Sequence, residues 1–299
     1  MLDLGVIILN YNTKTITADC LTSIRKSKNR LKYKVLLIDN ASTDGSYDFL
    51  KRSFPEFEIQ RSHTNLGFTK GNNLGIKQLQ RKVKYILLLN SDTVVFDHTF
   101  DNLVNFGKRA KYEIASCKYL NPDKSFQASG GAYPSFLNVF IWLSGLDDIF
   151  AKVFAISSYQ QRSEKYFQGD KQVGWVGGAC MLVKGSVFKK IGGLDENIFM
   201  YGEDVEFCVR AKKNGYRVGW TDATSIIHIG GASFKNASEK QWLGEFKGLI
   251  YIYKKHFGLF SALIVRLLIY FFVILRITVF TIIGKRERAN TYAKIITKI

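Results

Sequence analysis

The chain has 299 residues, enough for one large domain or a domain with an appendage, and its 46% apolar content is that of an ordinary globular protein. Its four cysteines show no CxxC spacing, which argues against a disulfide framework or a cysteine zinc site and predicts reduced thiols in a cytosolic setting. The net charge of +18 calls for anionic partners such as nucleic acid, nucleotide phosphates or acidic lipid; from Lys240 to Ile299 there are eleven Lys/Arg against two Glu, so about half of the excess lies at the end of the chain.

The opening "MLDLGVIILNYN" has no basic n-region and only a short apolar run, so it reads as a first buried strand rather than a secretory signal. A polar helical segment spans residues 14–28, and "YKVLLIDN" is a second strand, followed by a helix capped from Ser42, Thr43 and Asp44. "FEIQRS", "TKGNNLGIKQLQ" and "YILLLNSD" continue as strand, helix and strand. Such alternation predicts an α/β fold with a Rossmann-like, mostly parallel sheet flanked by helices, its strands buried on both faces. Three of these strands end in polar clusters, Asn10-Tyr11-Asn12, Asp39-Asn40 and Asn90-Ser91-Asp92. Each alone is what a turn needs to end a strand. Together they mark one candidate pocket, because open α/β sheets bind ligands beyond the carboxyl ends of their strands.

Residues 121–172 are irregular and rich in Gly, Ser and aromatics. Beyond them "VGWVGGACMLVKG" is a strand with a glycine break and "RVGWTDATSIIHIGG" supplies further strands, so this half is mixed rather than purely parallel. Gly177, Gly178 and Ala179 allow backbone to approach a ligand closely, and Trp175 is either a sugar-stacking ring or a core tryptophan.

The segment "FMYGEDVEFCVRAKKNGY" places three acids at the start of a helix. A step of ~100° per residue puts Asp204 inside the apolar arc, Glu203 at its edge and Glu206 on the opposite side, paired with Arg210 at i+4 as a solvated surface acid. An inward carboxylate is either a buried N-cap contact or a general base. The tail "FGLFSALIVRLLIYFFVILRITVFTIIGKRER" is strongly apolar but interrupted by Arg266 and Arg276, which lie about 80° apart on a helix and can snorkel to headgroups. A basic amphipathic helix in the membrane interface is the favoured reading, ahead of a tilted span and of a helix packed on the domain.

The blocks "VIILNYN", "LLIDNASTDGS", "NLGFTKGNNLGI", "LLLNSDT", "GGACMLVKGSVFKKIGGLDENIFMYGEDVEFCVRAKKNGY" and "IIHIGG", in this order, resemble the inverting family 2 glycosyltransferases of GT-A fold, closest to bacterial rhamnosyltransferase-like enzymes. The resemblance runs over residues 4–257. It implies a GT-A domain at 1–240, with a nucleotide-binding half at 1–120 and an acceptor and catalytic half at 121–240. A membrane-associated helical region at 241–299 follows. It implies a nucleotide-sugar donor, bound by Asn10, Asn12, Asp39, Asn40, Asp44, Asn65, Gly67, Asn72, Asn90, Ser91 and Gly178, with Asp39 on the pyrimidine base. It implies a divalent metal, Mn2+ or Mg2+, on Asp92 and His228, although Asn90 stands where the DxD motif has its first acid; His228 on its own reads equally as a packed strand histidine. Asp204 matches the catalytic base, Glu203 either orients the acceptor or replaces it, and Trp175 faces the acceptor.

The expected function is metal-assisted single displacement of one sugar, possibly rhamnose, onto a lipid-linked or polysaccharide acceptor. The expected location is the cytoplasmic face of the cell membrane, on an anionic surface and with no nucleic-acid partner. A non-catalytic nucleotide-sugar-binding protein is the alternative.

Overall fold

The computed structural model describes residues 1–150, 157–230 and 237–299. The first half runs β1 (Leu2–Asn10), α1 (Lys14–Lys26), β2 (Tyr33–Asp39), α2 (Ser46–Ser53), β3 (Glu58–Arg61), α3 (Gly67–Leu79), β4 (Val83–Asn90), β5 (Thr93–Val95), α4 (Thr99–Ala110) and β6 (Ile114–Leu120). The second half continues with β7 (Phe126–Gln127), β8 (Gly130–Gly131), α5 (Phe136–Ser144), α6 (Leu146–Phe150), β9 (Lys171–Gln172), β10 (Trp175–Val176) and β11 (Cys180–Lys184). It ends with α7 (Gly185–Ile191), α8 (Glu203–Lys213), β12 (Val218–His228), α9 (Ala237–Phe257), α10 (Leu259–Ile282) and α11 (Arg286–Ile296).

The main sheet has the order β3-β2-β1-β4-β11-β6-β12-β5. Its first four strands are parallel, as the alternating pattern requires, whereas β11 runs antiparallel to both β4 and β6. Alternate residues of the apolar strands serve opposite layers. Ile7 and Leu88 face the core shared with α3, α7 and α8, while Val6, Ile8 and Leu87 face the one shared with α1 and α4. The register sets Asn10 beside Asp39 and Leu9 beside Asn90, so the polar strand ends fall on one edge. Because β11 runs the other way, its entry turn at residues 177–179 arrives at that same edge, where the Asn90 N–H donates to Ala179 O at 2.9 Å.

The C-terminal helices build a layer over α8. Gly244 and Gly248 of α9 let two backbones meet: a Cβ at Gly248 would lie 2.7 Å from Tyr201 O, and one at Gly244 2.7 Å from the Tyr201 ring. Helix α10 buries one stripe, Ala262, Val265, Ile269, Phe272 and Val273, and exposes another containing Leu263, Leu267, Phe271 and Ile274. The packed-helix alternative for the tail therefore describes one face of α10 and leaves the other apolar face free. The two arginines do not behave alike. Arg266 is exposed, but Arg276 turns into the helical layer, donating to Leu143 O at 2.7 Å between the rings of Trp242 and Tyr292. Aromatic faces and one carbonyl hold its guanidinium where snorkelling was expected, and its Nη1 is buried without a hydrogen-bond partner.

Candidate active site

The first cluster ties the ends of β1 and β2 together. Asn10 Nδ2 donates to Asp39 Oδ2 at 2.7 Å and to Ser42 Oγ at 3.0 Å, while its Oδ1 accepts from the hydroxyls of Thr13 and Thr17. Asp39 Oδ1 accepts from the Ser42 N–H at 3.0 Å and lies 3.7 Å from Arg61 Nε. Asp39 is fully buried, and each of its oxygens takes one of these hydrogen bonds. Here the carboxylate orders Asn10 and the loop after β2.

Asn12 accepts the Thr43 N–H at 2.7 Å, and Asp44 accepts the Lys14 and Ser46 N–H groups at 3.1 and 2.9 Å, tying the start of α1 to that of α2. Asn40 bonds Asn65 Oδ1, Gly67 O and the Leu66 N–H, which fixes the entry to α3. Asn72 donates to Phe68 O one turn back in α3.

The second cluster lies at the end of β4. Ser91 and Asp92 are buried, and Asp92 Oδ1 stands 3.4 Å from His228 Nε2 across the β5–β12 pair. Asn90 Nδ2 is 3.5 Å from the same nitrogen. Gln127 settles the tautomer. Its Nε2 donates to His228 O at 3.0 Å and to Asn121 Oδ1 at 2.9 Å, so its Oε1 must accept from His228 Nδ1 at 2.7 Å. His228 Nε2 is thereby left to face Asp92, either carrying a proton toward it or sharing a cation with it. Burial opposes ionisation of Asp92, but His228 and nearby N–H groups outweigh it and hold the carboxyl below its ordinary value.

The third cluster sits at the start of α8. Asp204 Oδ2 accepts from the Gly178 N–H at 2.9 Å and Oδ1 from the Val205 N–H at 2.8 Å. Gly178 precedes Ala179, which is bonded to Asn90, so a short chain of backbone contacts joins Asp204 to the Asp92 cluster. Burial raises the pKa of Asp204, against the two N–H groups. Glu203 is 6% exposed, its Oε2 has no partner, and burial together with the Asp204 charge pushes its carboxyl up to about 8.

Helical phase misplaced Glu206. It is fully buried, because α9 covers that face of α8 and brings Lys255 Nζ to 2.7 Å and His256 Nε2 to 2.9 Å beside the Arg210 pair at 2.8 Å. Trp175 is 9% exposed, donates its indole N–H to Tyr159 O and packs in the core, which is the second of the two readings its sequence allowed. Glu245 of α9 went unnoticed in the sequence. Gln160 and Gln241 donate to its two oxygens at 2.9 Å each, and burial raises its pKa against these two bonds and the Arg162 charge, with the Asp204 charge adding to the rise. The only sequence signal was an acid in an otherwise basic tail.

With this geometry, comparison with known proteins is decisive. The profile of glycosyl transferase family 2 matches residues 5–192. The chain belongs to this family. It is 26% identical over 237 residues to the N-acetylglucosaminyl-diphospho-decaprenol L-rhamnosyltransferase of Mycobacterium tuberculosis, covering 75% of each chain. It is 27% identical over 168 residues to the rhamnosyltransferase WbbL of Escherichia coli, covering 54% of this chain and 60% of that one. The crystal structure of GalNAc-T7 with UDP, GalNAc and Mn2+ superposes with a TM-score of 0.59 at 14% identity, over 85% of this chain and 48% of the other. The family 2 protein is thus a rhamnosyltransferase-like glycosyltransferase of GT-A fold.

Proposed function

We propose that this glycosyltransferase moves one sugar, rhamnose being the favoured case, from a nucleotide-sugar donor to a lipid-linked or polysaccharide acceptor with inversion. The observation that carries the reading is the hydrogen bond from Gly178 to Asp204, which ties a half-buried carboxylate of raised pKa to the strand edge bearing Asn10, Asn90 and Asp92. A carboxylate so shifted is a better base near neutral pH than an ordinary aspartate. Asp204 would take the proton of the acceptor hydroxyl as its oxygen forms the new glycosidic bond and the nucleotide leaves from the opposite face. Asn12 and Asn65, exposed at the loop rim, are the polar groups assigned to the donor nucleotide, with the buried Asn10, Asp39 and Asn40 beneath them holding that rim in shape.

Asp92 Oδ1 and His228 Nε2, 3.4 Å apart, suit a shared Mn2+ or Mg2+, although no group of three or more His, Cys, Asp or Glu able to hold a metal exists among the described residues. Such an ion, when bound, would neutralise charge on the departing diphosphate. The fold neighbour with UDP, GalNAc and Mn2+ is in keeping with this donor chemistry. Binding of a panel of nucleotide sugars, with and without Mn2+, tests the reading; silence across the panel would sink it.

The N-acetylglucosaminyl-diphospho-decaprenol in the name of the mycobacterial relative, a sugar on a lipid diphosphate, fits a membrane-side position for residues 241–299. The exposed apolar stripe of α10, flanked by exposed Lys285, Arg286 and Arg288, supports docking of this region on an anionic cytoplasmic leaflet. Helix α10 is also long and apolar enough to cross a membrane. Flotation with anionic vesicles should succeed for the parent chain and fail for a Leu267→Glu, Phe271→Glu double variant.

A further inference from the structure

Helix α5 is more apolar than its cover accounts for. Its nine residues, FLNVFIWLS, include no charged side chain, and Ser135 caps it at one end while a left-handed Gly145 closes it at the other. A helix apolar on every side is expected to be buried on every side. Only Val139, Trp142 and Leu143 are buried, whereas Leu137 is 67% exposed, Phe136 42% and Phe140 40%.

This open face adjoins that of α10. The Phe140 ring meets Phe272 edge-on at 5.5 Å, and the Arg276 bond to Leu143 O fastens the last turn of α5 to the same helix. On α10, a step of ~100° per residue puts Phe272 at the border between the buried stripe and the exposed one of Leu267, Phe271 and Leu275. Helix α5 packs at that border, so its exposed residues extend the α10 stripe into one apolar surface built from two distant segments of the chain.

Building on the docking reading of α10, we infer that α5 is a second membrane-contacting element, seated in the same lipid surface and lying beneath the acceptor end of the cleft. Neither α5 nor α10 contains an acid, and the exposed Lys254 precedes α10 while the exposed Lys285, Arg286 and Arg288 follow it. An apolar face between cations matches the acyl chains and anionic headgroups of a leaflet. A second copy of this chain would bring the same cations against themselves, which disfavours self-pairing through this face. The buried side of α5 leads to the site. Trp142 packs on Tyr159 at 5.0 Å and Tyr159 on Trp175 at 5.8 Å, and Trp175 is followed closely by the Gly178 that holds Asp204. A lipid surface on the outer side of α5 therefore lies near the end of the cleft where a lipid-linked acceptor arrives.

The test reads the two helices separately. All four native cysteines are buried, so Leu137→Cys on α5, Leu267→Cys on α10 and Lys51→Cys on the exposed side of α2, each in the full chain, offer single sites for an environment-sensitive fluorophore. With vesicles of phosphatidylethanolamine and phosphatidylglycerol, the probes at 137 and 267 should shift to the blue together and be quenched by spin-labelled lipid, and the probe at 51 should do neither. In the unlabelled chain, Leu137→Glu should weaken vesicle binding on the order of 10-fold or more, while Leu137→Trp keeps or strengthens it. A response at 267 with none at 137 overturns the inference and leaves the α10 reading standing; no response at either overturns both. An equal response at 51 means adsorption without a defined face and also overturns it. So does a blue shift at 137 that grows with protein concentration in the absence of vesicles, which would assign this face to a second copy of the chain.

Discussion

Glu203 and Glu206 lie three residues apart on one helix, both buried, and their carboxyls are driven in opposite directions. Burial pushes Glu203 up to about 8, with the neighbouring Asp204 adding to it, whereas Glu206 is drawn down to about 2. Burial works against ionisation of Glu206 too, but His256, Arg210 and Lys255 overcome it. The face of α8 turned toward Lys255 and His256 is a completed ionic joint between two helices. The face turned toward Gly178 and Tyr159 is left electrostatically incomplete, which costs stability and suits a surface that takes up a ligand and a proton. One helix, α9, makes both conditions, supplying cations to one side and the acid Glu245 to the other.

The comparison can be broken most sharply at the reactive face. Asp204→Asn should lower transfer by roughly 10²- to 10⁴-fold while donor affinity, followed by calorimetry, stays near the parent value. Activity preserved in this variant would reassign the base.

At the joint, Glu206→Ala leaves Arg210, Lys255 and His256 without their common partner and should cost about 3–5 kcal/mol in denaturant unfolding at neutral pH. The pH profile carries a sign as well. With a folded pKa of about 2 against an ordinary value of 4.5, the Glu206 contribution is complete above 4.5 and is lost as pH falls toward 2. The variant should lack that acid limb, and an unchanged limb would show that the joint is not ionic.

The smallest effect belongs to Glu203→Gln. A folded pKa of about 8 means that the parent is relatively most stable below 4.5 and loses stability as pH rises from 4.5 to 8. Glutamine cannot ionise, so the variant should gain on the order of 2 kcal/mol over the parent by about pH 6, relative to their difference in acid. Melting curves across that range that run parallel would show that Glu203 is partnered after all.

Much of the first half of the chain was legible because its signals are local. Continuous Val/Ile/Leu runs make strands buried on both faces, and the polar residues ending β1, β2 and β4 must gather on one edge once those strands are parallel neighbours. The Asp92–His228 pairing was reachable only through the resemblance, since 136 positions separate two residues joined by the β5–β12 ladder. Gln127, which fixes the His228 tautomer, gave no signal in an irregular stretch.

The sequence by itself determined the strand and helix periods, the separation of Asp204 from Glu206 on α8, and the apolar, basic character of the tail. Which side of α8 is outside was decided by tertiary structure. A helical wheel gives angles but not neighbours, and the neighbour here is α9, about 40 residues further along the chain. Close backbone approach at Gly244 and Gly248 sets α9 against Tyr201 and Gly202 and turns an expected surface acid into a buried, triply paired one. The same approach adds Glu245 to the reactive face, a placement that depends on long-range packing and that no local pattern encodes.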